Sequence, residues 1–297
     1  MRMPKATGLP KPCSSEPELL HPSMAKFDFI ESAAIGYRYV WRERYALLPL
    51  VSLPIAVKMG SYAAIYLMHL EDNVLRQGLV LMPAYLMEGF IAVLVIRMAM
   101  FGERYHNLFQ SGEKENYPAE IRRAIMTGVV VYLMTKLVSS FLLGWAMVAR
   151  EVEGKLAATP MPKPEPGGIE IYVTSIMIMI FLLWTFRFFW LYIPAAMNIT
   201  ARAFLTRIAG FMSSVYMAGL WMMCLVPITV ILIVIARLLM TVFPGVEEGV
   251  VSPIYGMIMA IIQPMFEMII VLTSSVGMAH AVRTVMSEPP RPPRSLR

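Results

Sequence analysis

Six long apolar runs, at about 46–69, 79–101, 124–148, 171–193, 208–235 and 254–279, punctuate this 297-residue chain. Within each run the hydrophobic residues are continuous, whereas a lipid-facing barrel strand would alternate over about 10 residues. A hydrocarbon core roughly 30 Å thick is crossed by a helix of about 20 residues, and a helix satisfies its own backbone groups where water is absent. The pattern therefore predicts an all-α membrane protein with six transmembrane helices. Residues 1–26 read as a disordered N-terminal tail, 27–284 as the six-span membrane domain and 285–297 as a disordered Pro/Arg-rich C-terminal tail. The first tail lacks the apolar core of about 7 to 15 residues that a signal peptide carries. Met24 is a second candidate start, so whether residues 1–23 are made is left open.

Polar interruptions between the runs suggest a repeat. Ahead of the first run, "FDFIESAAIGYRYVWRERY" sets Phe29, Ile30, Ala33, Ala34, Tyr37, Val40 and Trp41 on one helical face, with Arg38, Arg42 and Arg44 directed toward headgroups. "YPAEIRRAIMTG" before the third run and "NITARAFLTRIAG" before the fifth mix arginines and apolar residues in the same way. The expected architecture is three hairpins, each preceded by a cytoplasmic interfacial helix. In this pattern, and in "YRYVWRERYALLPLVSLP" and "RRAIMTGVVVYLM", the chain resembles the Yip-like bacterial membrane proteins and the membrane domain attached to some bacterial glycerophosphodiesterases. The resemblance implies the six-span fold; no catalytic motif of the phosphodiesterase partner is present, so it implies no activity.

Composition agrees with the membrane class, because 58% of residues are hydrophobic and 15% charged against about a quarter charged in soluble domains. The net charge of +6 has a sidedness. Apart from Lys58, Lys136 and Arg187, 18 of the lysines and arginines fall on the side of the two termini and 5 (Arg76, Arg150, Lys155, Lys163 and Arg237) on the other. The positive-inside rule then places both termini in the cytoplasm of a bacterial-type inner membrane, with anionic headgroups as partners of the basic face. Nucleic acid is not an expected partner, since no basic face interleaves aromatics. The outer loop "EVEGKLAATPMPKPEPGG" reads as a solvated polyproline spacer. A protein partner or a homo-oligomer is left open.

Lys58, Glu88, Lys136, Arg187 and Glu267 fall inside the runs. Such groups are costly in hydrocarbon, turn inward and find partners. Lys58 and Glu88 are symmetric about Asn73 in "EDNVLRQ", so a straight hairpin brings them level, about 18 to 20 Å from the cytoplasmic edge. That predicts an ion pair or, with the carboxyl protonated, a hydrogen bond. Lys136 and Glu267 lie at a similar depth and are expected to form a second pair. In "IIQPMFEMII" a kink at Pro264 would join Gln263 and Glu267 in one polar stretch, with the Ala260 carbonyl freed toward a cavity. Arg187 lies nearer the cytoplasmic end, where Trp184, Trp190 and Tyr192 suggest an aromatic belt; the first reading makes Arg187, and likewise Arg97, an interfacial anchor. The alternatives are a buried carboxylate partner or a substrate contact.

Other chemistry is poorly represented. The 27 methionines, including the "WMMC" at Trp221–Cys224, read as interior filler rather than a copper site. Four scattered histidines and 2 cysteines predict no metal centre and no cofactor. Asp28 and Asp72, the only aspartates, lie outside the runs, and no HExxH, P-loop, GxSxG or Rossmann glycine pattern occurs. The expectation is a non-enzymatic structural, accessory or membrane-organising protein. The alternative is a small secondary transporter or channel that uses the midplane Lys/Glu pairs.

Overall fold

A computed structural model describes residues 27–70, 73–103, 119–157, 168–243 and 253–287, and among these every regular element is a helix. Helix α1 (Phe29–Arg42) starts where the Asp28 carboxylate accepts from the amides of Ile30 at 2.8 Å and Glu31 at 3.1 Å, a side-chain cap on groups that otherwise lack partners. Helix α2 (Arg44–Leu67) passes through Pro49 and Pro54. Asn73 caps the short α3 (Val74–Val80), and α4 (Met82–Phe101) stops at Gly102, whose φ of 68° suits a residue without Cβ. There follow α5 (Ala119–Ala157) and α6 (Gly168–Thr185), which tightens into a 3₁₀ turn at Phe186–Trp190 and resumes as α7 (Tyr192–Ala196). Helices α8 (Ala201–Arg207), α9 (Phe211–Val242) and α10 (Pro253–Ser287) complete the chain.

Among the described residues, six helical stretches are long and apolar enough to cross a membrane. This is a multi-pass membrane protein. Met222, Val226, Val230, Val234 and Leu238 form an exposed apolar stripe along α9, a surface that requires hydrocarbon around it. Helix α4 is the core. Every residue from Ile91 to Arg97 is buried, as expected of a helix apolar on all sides, and α2, α5, α7 and α10 pack around it.

Several boundaries differ from the expected ones. The segment before the third span does not form a separate helix; it runs straight into α5, and the same helix absorbs Glu151–Ala157 of the predicted polyproline spacer. Residues 158–167 of that spacer and both tails, apart from residues 285–287, lie outside the described residues. At the C-terminal end, α10 carries Val285–Ser287 beyond the predicted boundary. The fourth span is broken. Pro194 lacks the N–H that would bond the Trp190 carbonyl and its ring crowds that carbonyl, while the bulky run "FRFFW" is a weak helix former.

Only part of the apolar face of α1 meets the bundle: Ala33 is buried and Phe29 and Val40 lie against the core. Ser32, Ala33 and Gly36 are buried, whereas Ile30 and Trp41 are exposed. The small residues let α1 and α10 approach closely: a Cβ on Gly36 would lie 2.3 Å from the Thr273 carbonyl oxygen, and one on Gly277 would lie 2.9 Å from that of Ser32. The Tyr37 hydroxyl donates to the carbonyls of Cys224 at 2.9 Å and Met223 at 3.3 Å. Pro227 cannot bond the Met223 carbonyl, so α1 supplies the missing donor.

Gly36→Val should therefore force backbone to move and lower stability by about 1–3 kcal/mol. Gly60→Ala, where a Cβ meets nothing within 4 Å, should leave stability unchanged or slightly raised. Thermal unfolding midpoints in one detergent would check the contrast.

Candidate functional site

Three helices bring polar side chains to α4 in pairs one turn apart. Lys58 and Tyr62 share a face of α2, Tyr132 and Lys136 a face of α5, and Gln263 and Glu267 a face of α10, each at i, i+4. Glu88 of α4 lies among them, fully buried. Its two oxygens serve different lysines: Lys58 Nζ is 2.6 Å from Oε2 and Lys136 Nζ is 3.2 Å from Oε1. Tyr132 also donates to Oε1. Lys58 Nζ is in turn 2.7 Å from Glu267 Oε2. The Tyr62 hydroxyl, at 3.0 Å, and Gln263 Nε2, at 2.7 Å, both donate to Glu267 Oε1. Tyr85 lies between the lysines, its ring centroid 5.9 Å from Lys58 Nζ and 5.7 Å from Lys136 Nζ.

The result is a chain of alternating charge, Glu267, Lys58, Glu88, Lys136. The level Lys58 and Glu88 meet as hairpin symmetry suggests. Lys136 and Glu267 do not pair with each other as expected, because α5 packs on α4, and α10 packs on both α2 and α4. Each outer ion thus meets the inner ion of opposite sign on its neighbouring helix, and each inner ion gains two counter-ions. Tyr62 and Tyr132 were not among the sequence candidates. Their signal was present: each stands one helical turn from a midplane lysine. Pro264 does not interrupt α10, yet Gln263 and Glu267 do form one polar stretch.

All four ions line a cavity of about 440 Å³, in the size range of small-molecule sites. The inner pair is sealed, while about a third of the Lys136 side chain and 29% of that of Glu267 are exposed. Thr135, Ser139 and Ser274 add hydroxyls, and Phe186, Phe189, Trp190, Tyr192 and Trp221 add an aromatic wall.

That wall corrects the predicted aromatic belt. Trp190 and Tyr192 are buried inside the bundle; Tyr192 meets the edge of Tyr132 at 5.0 Å and shares a 2.8 Å hydrogen bond with Ser275. Of the three only Trp184 is exposed. The broken fourth span is the cause, since the 3₁₀ turn and α7 carry these side chains inward. The two arginines are likewise internal. Arg187 stacks over Trp184 at 4.2 Å and donates to the carbonyls of Ile208 at 3.1 Å and Ala209 at 3.3 Å, just past the end of α8. Arg97 binds Glu103 and donates to the Ala196 carbonyl at 2.9 Å. Neither reaches out to headgroups. Both bind carbonyls at interrupted helix ends, where a cation complements the local dipole.

Among the described residues no group of three or more His, Cys, Asp or Glu side chains could hold a metal ion. Comparison with family models, curated proteins and solved structures finds no match to this chain.

Removing Lys58 leaves Glu88 without one counter-ion in a buried site and also strips one from Glu267. Lys58→Met should destabilise the protein by about 3–5 kcal/mol. Lys136→Met, at a partly exposed position where Glu88 keeps Lys58, should cost clearly less. Heat-induced loss of monodispersity in detergent would rank the two.

Proposed function

We propose that this protein is a membrane carrier whose central cavity is its substrate site. The observation that carries the reading is the asymmetry of the charge chain. A network that only joined helices would gain nothing by opening two of its four ions to a cavity, whereas a binding site requires charged groups that a ligand can reach. The broken fourth span supports the same reading, because irregular backbone in a membrane domain is tolerated where it lines a cavity, and carriers bind near the midplane at discontinuous helices. Here the 3₁₀ turn supplies Phe186, Phe189 and Trp190 to the cavity wall.

Lys58 and Glu88 are the fixed part of this site. Lys136 and Glu267 are its ligand-facing part, each steadied by a tyrosine or an amide. We also infer an inner-membrane location with both termini cytoplasmic, supported by the 18 to 5 distribution of basic residues. The joint between α1 and α2 would lie at the headgroups. Arg44 stacks there on Trp41 at 4.7 Å and Tyr45 at 4.6 Å, all three exposed, which suits contact with anionic lipid.

A second reading, a structural or accessory protein, is favoured by the fact that each of the four ions has a counter-ion within 3.2 Å. Water access separates the two. In a Cys13→Ser, Cys224→Ser background, Ser139→Cys should react with a charged, membrane-impermeant methanethiosulfonate in intact vesicles, as read by mass. Failure to react with the reagent supplied on either side would defeat the carrier reading and favour the structural one.

A further inference from the structure

Beside the charged cavity lies an apolar groove of about 650 Å³ between α6 and α9. Ile178, Met179, Leu182 and Leu183 line it from α6, and Ala218 and Met222 from α9. The outer surfaces here are exposed apolar side chains, so the groove opens toward hydrocarbon. Two residues, Phe186 and Trp221, line both the groove and the charged cavity, with ring centroids 5.6 Å apart. A ligand filling both spaces has to be amphiphilic: apolar where it meets α6 and α9, polar where it passes this aromatic pair.

The cavity specifies the polar part further. Its accessible ions are one ammonium, Lys136, and one carboxylate, Glu267. A headgroup carrying a phosphate and an amine matches both, whereas a simple anion would meet Glu267 and a simple cation would meet Lys136. The buried indole N–H of Trp190, another cavity residue, has no partner among the described residues. A phosphate oxygen is the type of acceptor it lacks.

Building on the carrier reading, we propose that the substrate is a zwitterionic phospholipid. Its headgroup enters the cavity between Lys136 and Glu267 while its acyl chains stay in the groove between α6 and α9. Headgroups then cross the bilayer through the charged interior, the chains remain in hydrocarbon, and the exchange runs down the existing gradient.

The test uses the full chain reconstituted in vesicles containing a trace of phosphatidylethanolamine labelled on one acyl chain, which leaves its ammonium free, with dithionite quenching label in the outer leaflet. In protein-free vesicles about half of the label is quenched; with the protein, quenching should go nearly to completion. Ala218→Trp, which fills the groove, and Glu267→Gln, which keeps the hydrogen-bonding shape but removes the carboxylate, should each slow the second phase at least tenfold, with the wild-type elution profile retained. Equal rates for labelled phosphatidylglycerol would overturn the zwitterionic preference. Wild-type rates in Ala218→Trp would overturn the lipid assignment. An absence of lipid movement, in protein whose Ser139→Cys variant reacts with the aqueous thiol reagent, would overturn the lipid inference and leave the carrier reading standing; if that cysteine is inert as well, both fall.

Discussion

A carboxylate with no solvent exposure, surrounded by a bundle that is itself surrounded by hydrocarbon, is the constraint on which this architecture turns. An isolated ion in such a medium is untenable, and a single counter-ion seldom offsets its desolvation. Glu88 has two lysines and a tyrosine hydroxyl, which occupy its lone pairs from α2 and α5 together. Meeting that requirement fixes the relative rotation and height of three spans. Through Lys58 and Tyr62 it also fixes a fourth, α10. Apolar packing alone is far less selective in a membrane, because lipid tails compete on equal terms with leucine and valine. The glycines that allow close approach, Gly89 under the Tyr132 ring and Gly128 beside Val93, bring α4 and α5 near enough for short side chains to meet.

The fourth span follows a different logic. Where α2, α9 and α10 run as regular helices past their prolines, it abandons α geometry for one turn of large aromatics. The lost helical hydrogen bonding is replaced by an internal aromatic cluster in which Phe186 contacts Phe189, Trp190 and Trp221. Nearby, Arg187 binds carbonyls that follow α8. One irregular turn thus makes a wall of the cavity and ties the fourth span to the start of the fifth.

Much of this was legible in the residues. Six apolar runs gave six spans, and depth arithmetic set Lys58, Glu88, Lys136 and Glu267 in one layer. The Lys58 and Glu88 contact followed from the symmetry of a short turn, a local relation that one sequence can carry. Which partner Lys136 and Glu267 would take was not legible, because it depends on the order of helices around α4, and hydropathy is blind to that order. Which residues of α1 meet protein was not legible for a related reason: in lipid large apolar residues such as Ile30 and Trp41 can face outward, while small ones such as Ser32 and Gly36 mark the close contact. Arg187, Trp190 and Tyr192 were misplaced because a regular helix was assumed up to Pro194, whereas α geometry stops at Thr185. Tyr62 and Tyr132 were missed although the i, i+4 spacing pointed to them; tyrosine in an apolar run reads as filler until a charged neighbour gives its hydroxyl a purpose.

The contact of Gly36 with the Thr273 carbonyl, together with the tie from Tyr37 to α9, has a mechanical corollary. With no side chains interposed to act as bearings, α1, α9 and α10 form a single stiff slab. Helix α6 rests chiefly on α9 and on its own 3₁₀ continuation. It meets the bundle along one edge, through α9 and the aromatic turn at its foot.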